Sequence, residues 1–166
     1  MSNHRNGPTA QFVALSAAAM VLVLFTVSPI YCQNSSDLSE ANQLVKRVNE
    51  LYDAGHYTEA IPLAETVLSI REKTFGADNI AVVTPLNNLA ELLRLTRDYS
   101  RAEALHLRSL AIREKALGVD HPDVAASLHN LSLVYESIGQ YAKAEPLCQR
   151  ELAIREKVFG PDHPLV

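Results

Sequence analysis

The chain has 166 residues and a mass of 18.2 kDa, room for one ordinary domain or a short repeat array but not for two large lobes. Fifteen Lys and Arg against 19 Asp and Glu give a net charge of −4, which excludes the basic surface of a general nucleic-acid binder. A hydrophobic content of 48% with 20% charged residues excludes a disordered chain, and two cysteines cannot make a disulfide framework.

The N-terminal forty residues differ from the rest. Arg5 is the only formally charged side chain before Asp37, and Phe12 to Val27 is apolar apart from Ser16 and Thr26. Pro29 is expected to break any helix. A basic start, an apolar run and a polar stretch follow the plan of a secretory signal over residues 1–32. Cleavage after Cys32 would place Ile30 and Cys32 at the two specificity positions, neither of them Ala. Three readings stay open: a cleaved signal, an uncleaved anchor using residues 12–31, or a soluble chain with a buried apolar helix. The first two export the remainder, because Arg5 holds the N-terminus inside and no further positive charge follows until Lys46. Residues 33–38 then form a polar linker.

Beyond the linker the chain repeats itself at an offset of 42, aligning Tyr57 with Tyr99 and Tyr141, and Ala60 with Ala102 and Ala144. The string IREK recurs at Ile70, Ile112 and Ile154, followed by Gly76, Gly118 and Gly160. Over the 24 residues from each Tyr, ten positions are identical in all three copies, which is far beyond chance. The units are 39–80, 81–122 and 123–164, with 165–166 opening a fourth.

Each unit reads as two helices. Leu86, Leu89, Ala90 and Leu93 stand at i, i+3, i+4 and i+7, one face of an α-helix, and Leu128, Leu131, Ser132 and Tyr135 repeat that spacing. The first unit offers Leu44, Val48 and Leu51. Each second helix starts near the repeated Tyr, with apolar positions at Ala60, Leu63, Ala64 and Val67 in the first unit. The alanines let two helices approach closely, and the Tyr is expected to fill the space beside the tight turn. Gly118 and Gly160 suit helix stops, Pro122 suits the first turn of the next helix, and Asp120 or His121 suits its N-cap. Arg and Lys of IREK fall in the last turn, where they complement the helix dipole.

The strings LNNLAELLRLTRDYSRAEALHLRSLAIREKALGVDHPDVA and LHNLSLVYESIGQYAKAEPLCQRELAIREKVFGPDHP resemble the tetratricopeptide class, and within it the kinesin-light-chain-like 42-residue type. The resemblance covers roughly Leu38 to the end. It implies an all-α, right-handed superhelical array of helix-turn-helix repeats, an α-solenoid, whose first helices line a concave groove for peptides. An export signal does not suit a cytosolic motor subunit. Similar repeats are common in bacterial proteins, some of them exported.

The last helix of such an array normally carries a polar outer face. Here it is expected to expose Leu147, Cys148, Leu152 and Ile154 unless something covers them. A longer repeat protein, end-to-end stacking of copies into a homo-oligomer, and marginal stability all remain open.

Little in the chain suggests catalysis. His121 with Asp120 and Asp123 is the best metal-like cluster, repeated by His163 with Asp162, but these residues recur as helix-start residues. No HExxH string, paired-cysteine spacing or Gly-rich phosphate loop occurs. His106 and Cys148 share the register of Ala64 and face a neighbouring helix, so a packing role outweighs a nucleophile–base pair. Glu72, Glu114 and Glu156 sit on separate helices. Asn34-Ser35-Ser36 and Asn130-Leu131-Ser132 match the glycosylation sequon. Neither cofactor nor metal is expected, and the chain is not read as an enzyme.

What remains is the side of the first helices opposite the leucines. It comprises Asn42, Val45, Lys46 and Asn49 in unit one, and Thr84, Asn87, Asn88, Glu91 and Arg94 in unit two. In unit three it comprises Ala126, His129, Asn130, Leu133 and Glu136. Asn can both donate to and accept from an extended peptide backbone. The resemblance implies ligand contact at Asn87, Asn88 and Asn130. The expected protein is a non-catalytic scaffold that binds a protein or peptide on its concave face, outside the cytoplasm or anchored to a membrane.

Overall fold

The computed structural model describes the backbone at residues 17–161, 163 and 164, and side chains within that range from residue 35 onward. Arg5 and the start of the apolar run lie outside the described residues, and the side chains of the signal or anchor reading lie outside them too. The chain divides into two compact units, residues 1–36 and 37–166. Among the described residues no helix is long and apolar enough to cross a membrane.

The described residues form six helices: α1 (Ala17–Asp53), α2 (Tyr57–Phe75), α3 (Val83–Leu95), α4 (Tyr99–Leu117), α5 (Pro122–Ser137) and α6 (Tyr141–Phe159). A single 3-10 turn, Ile80–Val82, precedes α3. There is no strand among the described residues, and the architecture is an all-α repeat solenoid. One sequence expectation is corrected by α1, which runs unbroken through Pro29 and continues across residues 33–38. A proline removes one backbone donor and crowds one carbonyl, a local cost that helix on both sides can absorb. The later part of α1 is anchored by tertiary contact, with Ala41 fully buried and Asp37 paired to Lys73 of α2 at 3.7 Å.

The turn inside each hairpin is the same device three times. The amides of His56, Asp98 and Gln140 donate to the carbonyls of Leu51, Leu93 and Tyr135, each at 2.8 Å. The amides of Gly55, Arg97 and Gly139 donate to Tyr52, Arg94 and Glu136. These are paired Schellman closures, which need a left-handed residue at the pivot. Gly55 and Gly139 supply it at φ 75° and 71°, whereas the second repeat forces Arg97 to φ 67°. Between hairpins, Gly76, Gly118 and Gly160 stop the second helices at φ 93°, 90° and 86° with ψ near 150°. That pairing is positive in φ but extended in ψ, a region open to glycine alone, rather than the left-handed helical stop expected from sequence. His121 is the N-cap of α5, its Nδ1 accepting from the Asp123 amide at 3.1 Å.

The helical faces pack as their spacing predicts. Leu86, Leu89, Ala90 and Leu93 are buried, as are Leu128, Leu131, Ser132 and Tyr135. Ala60, Ala102 and Ala144 are buried at the hairpin crossings, where a methyl is all that fits between close backbones. Tyr57 and Tyr99 pack against the core, but Tyr141 is 68% exposed and fills nothing. Ile154, expected on the outer face of α6, is buried instead with Leu128 and Leu131 of α5. It lies two residues after Leu152, about 200° around the helix, so it points inward when Leu152 points outward.

The pivots give a stability test. No atom lies within 4 Å of a Cβ built on Gly118, so Gly118→Ala meets only backbone strain. It is expected to cost about 1–3 kcal/mol in urea unfolding. Arg97→Gly relieves a left-handed side-chain residue and is expected to gain about 0.5–1 kcal/mol in the same measurement.

Candidate peptide groove

The first helices α1, α3 and α5 present the face opposite their leucines, and at the first junction this face is not flat. A hollow of about 350 Å³ opens between the first and second repeats, lined by Val45 and Val48 of α1, Ala64, Val67 and Arg71 of α2, and Ala81, Thr84, Pro85 and Asn88. A second hollow of about 230 Å³ adjoins it, lined by Val48, Asn49 and Tyr52 with Asn88, Glu91 and Leu92. Val48 and Asn88 belong to both, so Asn88 stands as an exposed amide between two apolar recesses.

Several lining registers of the first hollow change one repeat later, where Ala64 becomes the buried His106 and Pro85 becomes Ser127. Arg113 of α4 reaches into the second junction, donating to Ser127 Oγ at 2.8 Å and the Asp123 carbonyl at 2.9 Å. Burial pulls its pKa below the usual arginine value, opposed by the nearby Asp123 carboxylate. Its counterpart one repeat earlier is Arg71, and the counterpart of Ser127 is Pro85, which has no hydroxyl. Arg71 turns instead to Asn42 Oδ1 at 3.1 Å, and the space that Arg113 fills stays open.

The other predicted groove residues divide by what already occupies them. Glu91 and Arg94 satisfy each other through two bonds of 2.8 and 2.7 Å, and this pairing raises the Arg94 pKa against its desolvation. Arg94 also donates to Ser137 Oγ of α5 at 3.4 Å, so it ties two first helices together. Asn87 is half-buried with Oδ1 3.2 Å from His106 Nδ1, a packing contact to α4. His129 lies 3.3 Å from Glu151 of α6, which also holds Arg155 at 2.9 Å. Asn130 and Leu133 are half-buried, and Thr84 and Glu136 are exposed. The structure therefore gathers Thr84, Asn88 and Glu91 at the hollows, and places His129, Asn130, Leu133 and Glu136 one repeat away. Sequence reasoning missed Val48, Arg71 and Pro85 as lining residues. The signal for them was the mismatch of Pro85 with Ser127 at a shared register.

The expected metal-like clusters gather no set of three or more acidic, His or Cys ligands among the described residues. His106 is a buried titratable group on α4. It is 2% exposed, its Nε2 has no partner, and burial pulls its pKa from 6.5 to about 4, with Glu91 opposing and Arg94 assisting.

Helical hairpins at a constant 42-residue offset, joined by one turn type and stacked in one register, define a helix-turn-helix repeat solenoid. The Tetratricopeptide repeat family model matches residues 44–115, 84–147 and 123–166, and the chain belongs to that family. No match was found among curated proteins. Among solved structures, the chain is 27% identical to a protein of Podosopora anserina described as a kinesin light chain with nearly identical TPR-like repeats. That likeness has a TM-score of 0.66 and covers 79% of this chain and 60% of that one. It is 26% identical to BtubC (BKLC) of P. vanneervenii, with a TM-score of 0.65, over 75% of this chain and 49% of that one. The chain thus spans about half to three-fifths of the length of these relatives.

The neutral, buried His106 links stability to pH. Its folded pKa lies below its unfolded value, so its share of stability is complete above pH 6.5 and is lost as pH falls through about 4. At pH 5 the loss is expected to be on the order of 2 kcal/mol. His106→Leu keeps the volume and removes the titration. Urea unfolding of the variant should show a flatter pH dependence between 7 and 4.5 than the parent chain.

Proposed function

We propose that this chain is a non-catalytic scaffold that holds an extended peptide segment of a partner protein against the first-helix face, at the junction of its first two repeats. Tetratricopeptide repeats in general serve protein interaction, which supports the class. The observation that carries the particular site is the paired hollow on either side of Asn88. Two apolar recesses separated by a two-way hydrogen-bonding amide suit an extended chain. Such a chain points alternate side chains the same way and offers a backbone amide and carbonyl between them. The negative overall charge and the internally paired Glu91 and Arg94 speak against a nucleic-acid ligand.

Export is part of the same reading, in which the groove lies outside the cytoplasm. The single Arg5 ahead of a long apolar run, with no acidic residue before Asp37, supports residues 1–32 as a signal or anchor. An intact mass of the chain from its native host beginning at Gln33 is the expected result for a cleaved signal.

The groove is tested by selecting peptides from a random display library on the purified chain and titrating the best binder. Asn88→Ala should weaken it by roughly tenfold, the worth of one hydrogen bond to a buried backbone group. Glu136→Ala, one repeat away, should leave the affinity unchanged. Equal effects at the two positions, or no selected binder, would overturn the assignment.

A further inference from the structure

The two edges of the array differ in what they expose. One edge holds the hairpin turns at 54–56, 96–98 and 138–140. The other holds the linkers, where a second helix ends and the next first helix begins. Among the described residues, large apolar side chains left in solvent gather at the linker edge. Phe75 and Ile80 stand at the first linker, Leu117 and Val119 at the second, and Val158 and Phe159 at the end of α6, between 36% and 55% exposed. Phe75, Leu117 and Phe159 share one register of the 42-residue offset, so each repeat adds to the same row. The hairpin-turn edge exposes only the tyrosines Tyr52 and Tyr141, and Leu107 and Leu152 stand mid-helix.

A contiguous exposed apolar row marks an interaction surface, and its charges narrow the partner. A lysine stands two positions before each member of the shared register: Lys73, Lys115 and Lys157, all exposed in the last turns of α2, α4 and α6. Lys73 lies 3.7 Å from Asp37 and Lys157 lies 2.5 Å from Asp120, and Asp78 and Asp123 are exposed on the same edge. The edge therefore carries no excess of positive charge. Apolar side chains flanked by lysine stems, without net positive charge, fit a neutral lipid interface and gain nothing from an anionic one.

The chain itself brings a bilayer to this edge. Asp37, where the array begins, is held at the linker edge by Lys73. It stands six positions after Tyr31, the end of the apolar run read above as a signal or anchor. Six residues reach about 9 Å as helix and about 20 Å fully extended. Either reach is less than the roughly 30 Å diameter of a small domain, so a globular partner does not fit between the first linker and an anchoring bilayer. The 19-residue length of α2 sets the hairpin-turn edge about 28 Å from the linker edge.

We infer that the linker edge lies against a bilayer of zwitterionic lipid, with Phe75, Leu117, Val119 and Phe159 at the interface and the first-helix face open to the side. The inference rests on the anchor reading of residues 12–31. So few apolar side chains bind a bilayer weakly alone, and a short tether raises their effective concentration at its surface.

The test uses the full chain in phosphatidylcholine vesicles, with Cys32→Ser and Cys148→Ala, and a bimane fluorophore attached through Val119→Cys or through Tyr141→Cys. Flotation with the vesicles in high salt reads the anchor. Quenching by lipids brominated at the top of the acyl chain reads the edge. Both labelled chains should float, and quenching at position 119 should be severalfold stronger than at position 141. Ile80→Glu with Val158→Glu, both at exposed positions, should reduce quenching at position 119 while flotation and helical content stay unchanged. Equal quenching at the two positions, or none at position 119 in a chain that floats, would overturn the inference and leave the anchor standing. A chain that does not float would remove the anchor and the inference with it.

Discussion

A two-helix hairpin has two faces to bury and can cover only one of them itself. Everything in residues 37–166 depends on the way the other is covered. Leu68 and Leu110 leave their own hairpins and are buried by the first helix of the next one. At about 25 cal/mol per Å² of apolar surface removed from water, a leucine so covered contributes about 2 kcal/mol, comparable with the net stability of a small domain per hairpin. Each hairpin is therefore stable chiefly through its neighbour, and an ion-pair rung between successive second helices, Arg108 to Glu72 and Arg150 to Glu114, fixes the register in which they meet. The rungs are partly exposed and add little energy on their own. Their contribution is geometric, since a guanidinium that bonds both a carboxylate and a carbonyl accepts few arrangements.

The groove follows from that stacking, not from a separate design. Stacking in a constant register brings α1, α3 and α5 side by side, and the space between them is set by which side chains meet at the junction. Where Ser127 is present, Arg113 fills the gap. Where Pro85 replaces it, Arg71 bonds Asn42 instead, Ala64 stands in the place of His106, and the junction holds a hollow of about 350 Å³. His106 shows the same economy from the other side. It occupies a register that holds Ala64 in one repeat and Cys148 in the next, and its bulk is accommodated only by keeping the ring neutral beside Asn87.

The helices, their inward leucines, the crossing alanines and the hairpin turns were legible from the 42-residue offset, because these positions must satisfy the same local geometry in each copy. The path of α1 through Pro29 was not legible, since local helix-breaking chemistry says nothing of the helix on either side that carries it through. Nor was the inward turn of Ile154, which depends on the position of α5. The glutamates of IREK read as inert repetition because their partners stand 36 residues away on another helix. Among the groove residues, Thr84 and Asn88 were found where the face pattern put them. Asn87 was not, since an amide on the same helix face can be consumed by a buried neighbour that sequence spacing does not reveal.

The division of labour between repeating and varying positions is the strongest physical argument about what the fold is for. The positions that repeat without change are those that close turns, cross helices and receive the next repeat: Ala60, Glu72, Gly76 and their counterparts. The first-helix face varies between repeats, from Val45 to Asn87 to His129 and from Asn49 to Glu91 to Leu133, although Asn88 recurs as Asn130. The constant surface must fit the next repeat, whereas an exposed polar face costs little whatever its composition and is free to vary. A surface that meets a different group of an unlike ligand at each step uses that freedom. The varying face includes the junction of the first two repeats, where the arginine of α2 bonds Asn42 and largely apolar walls stand beside the exposed amide of Asn88.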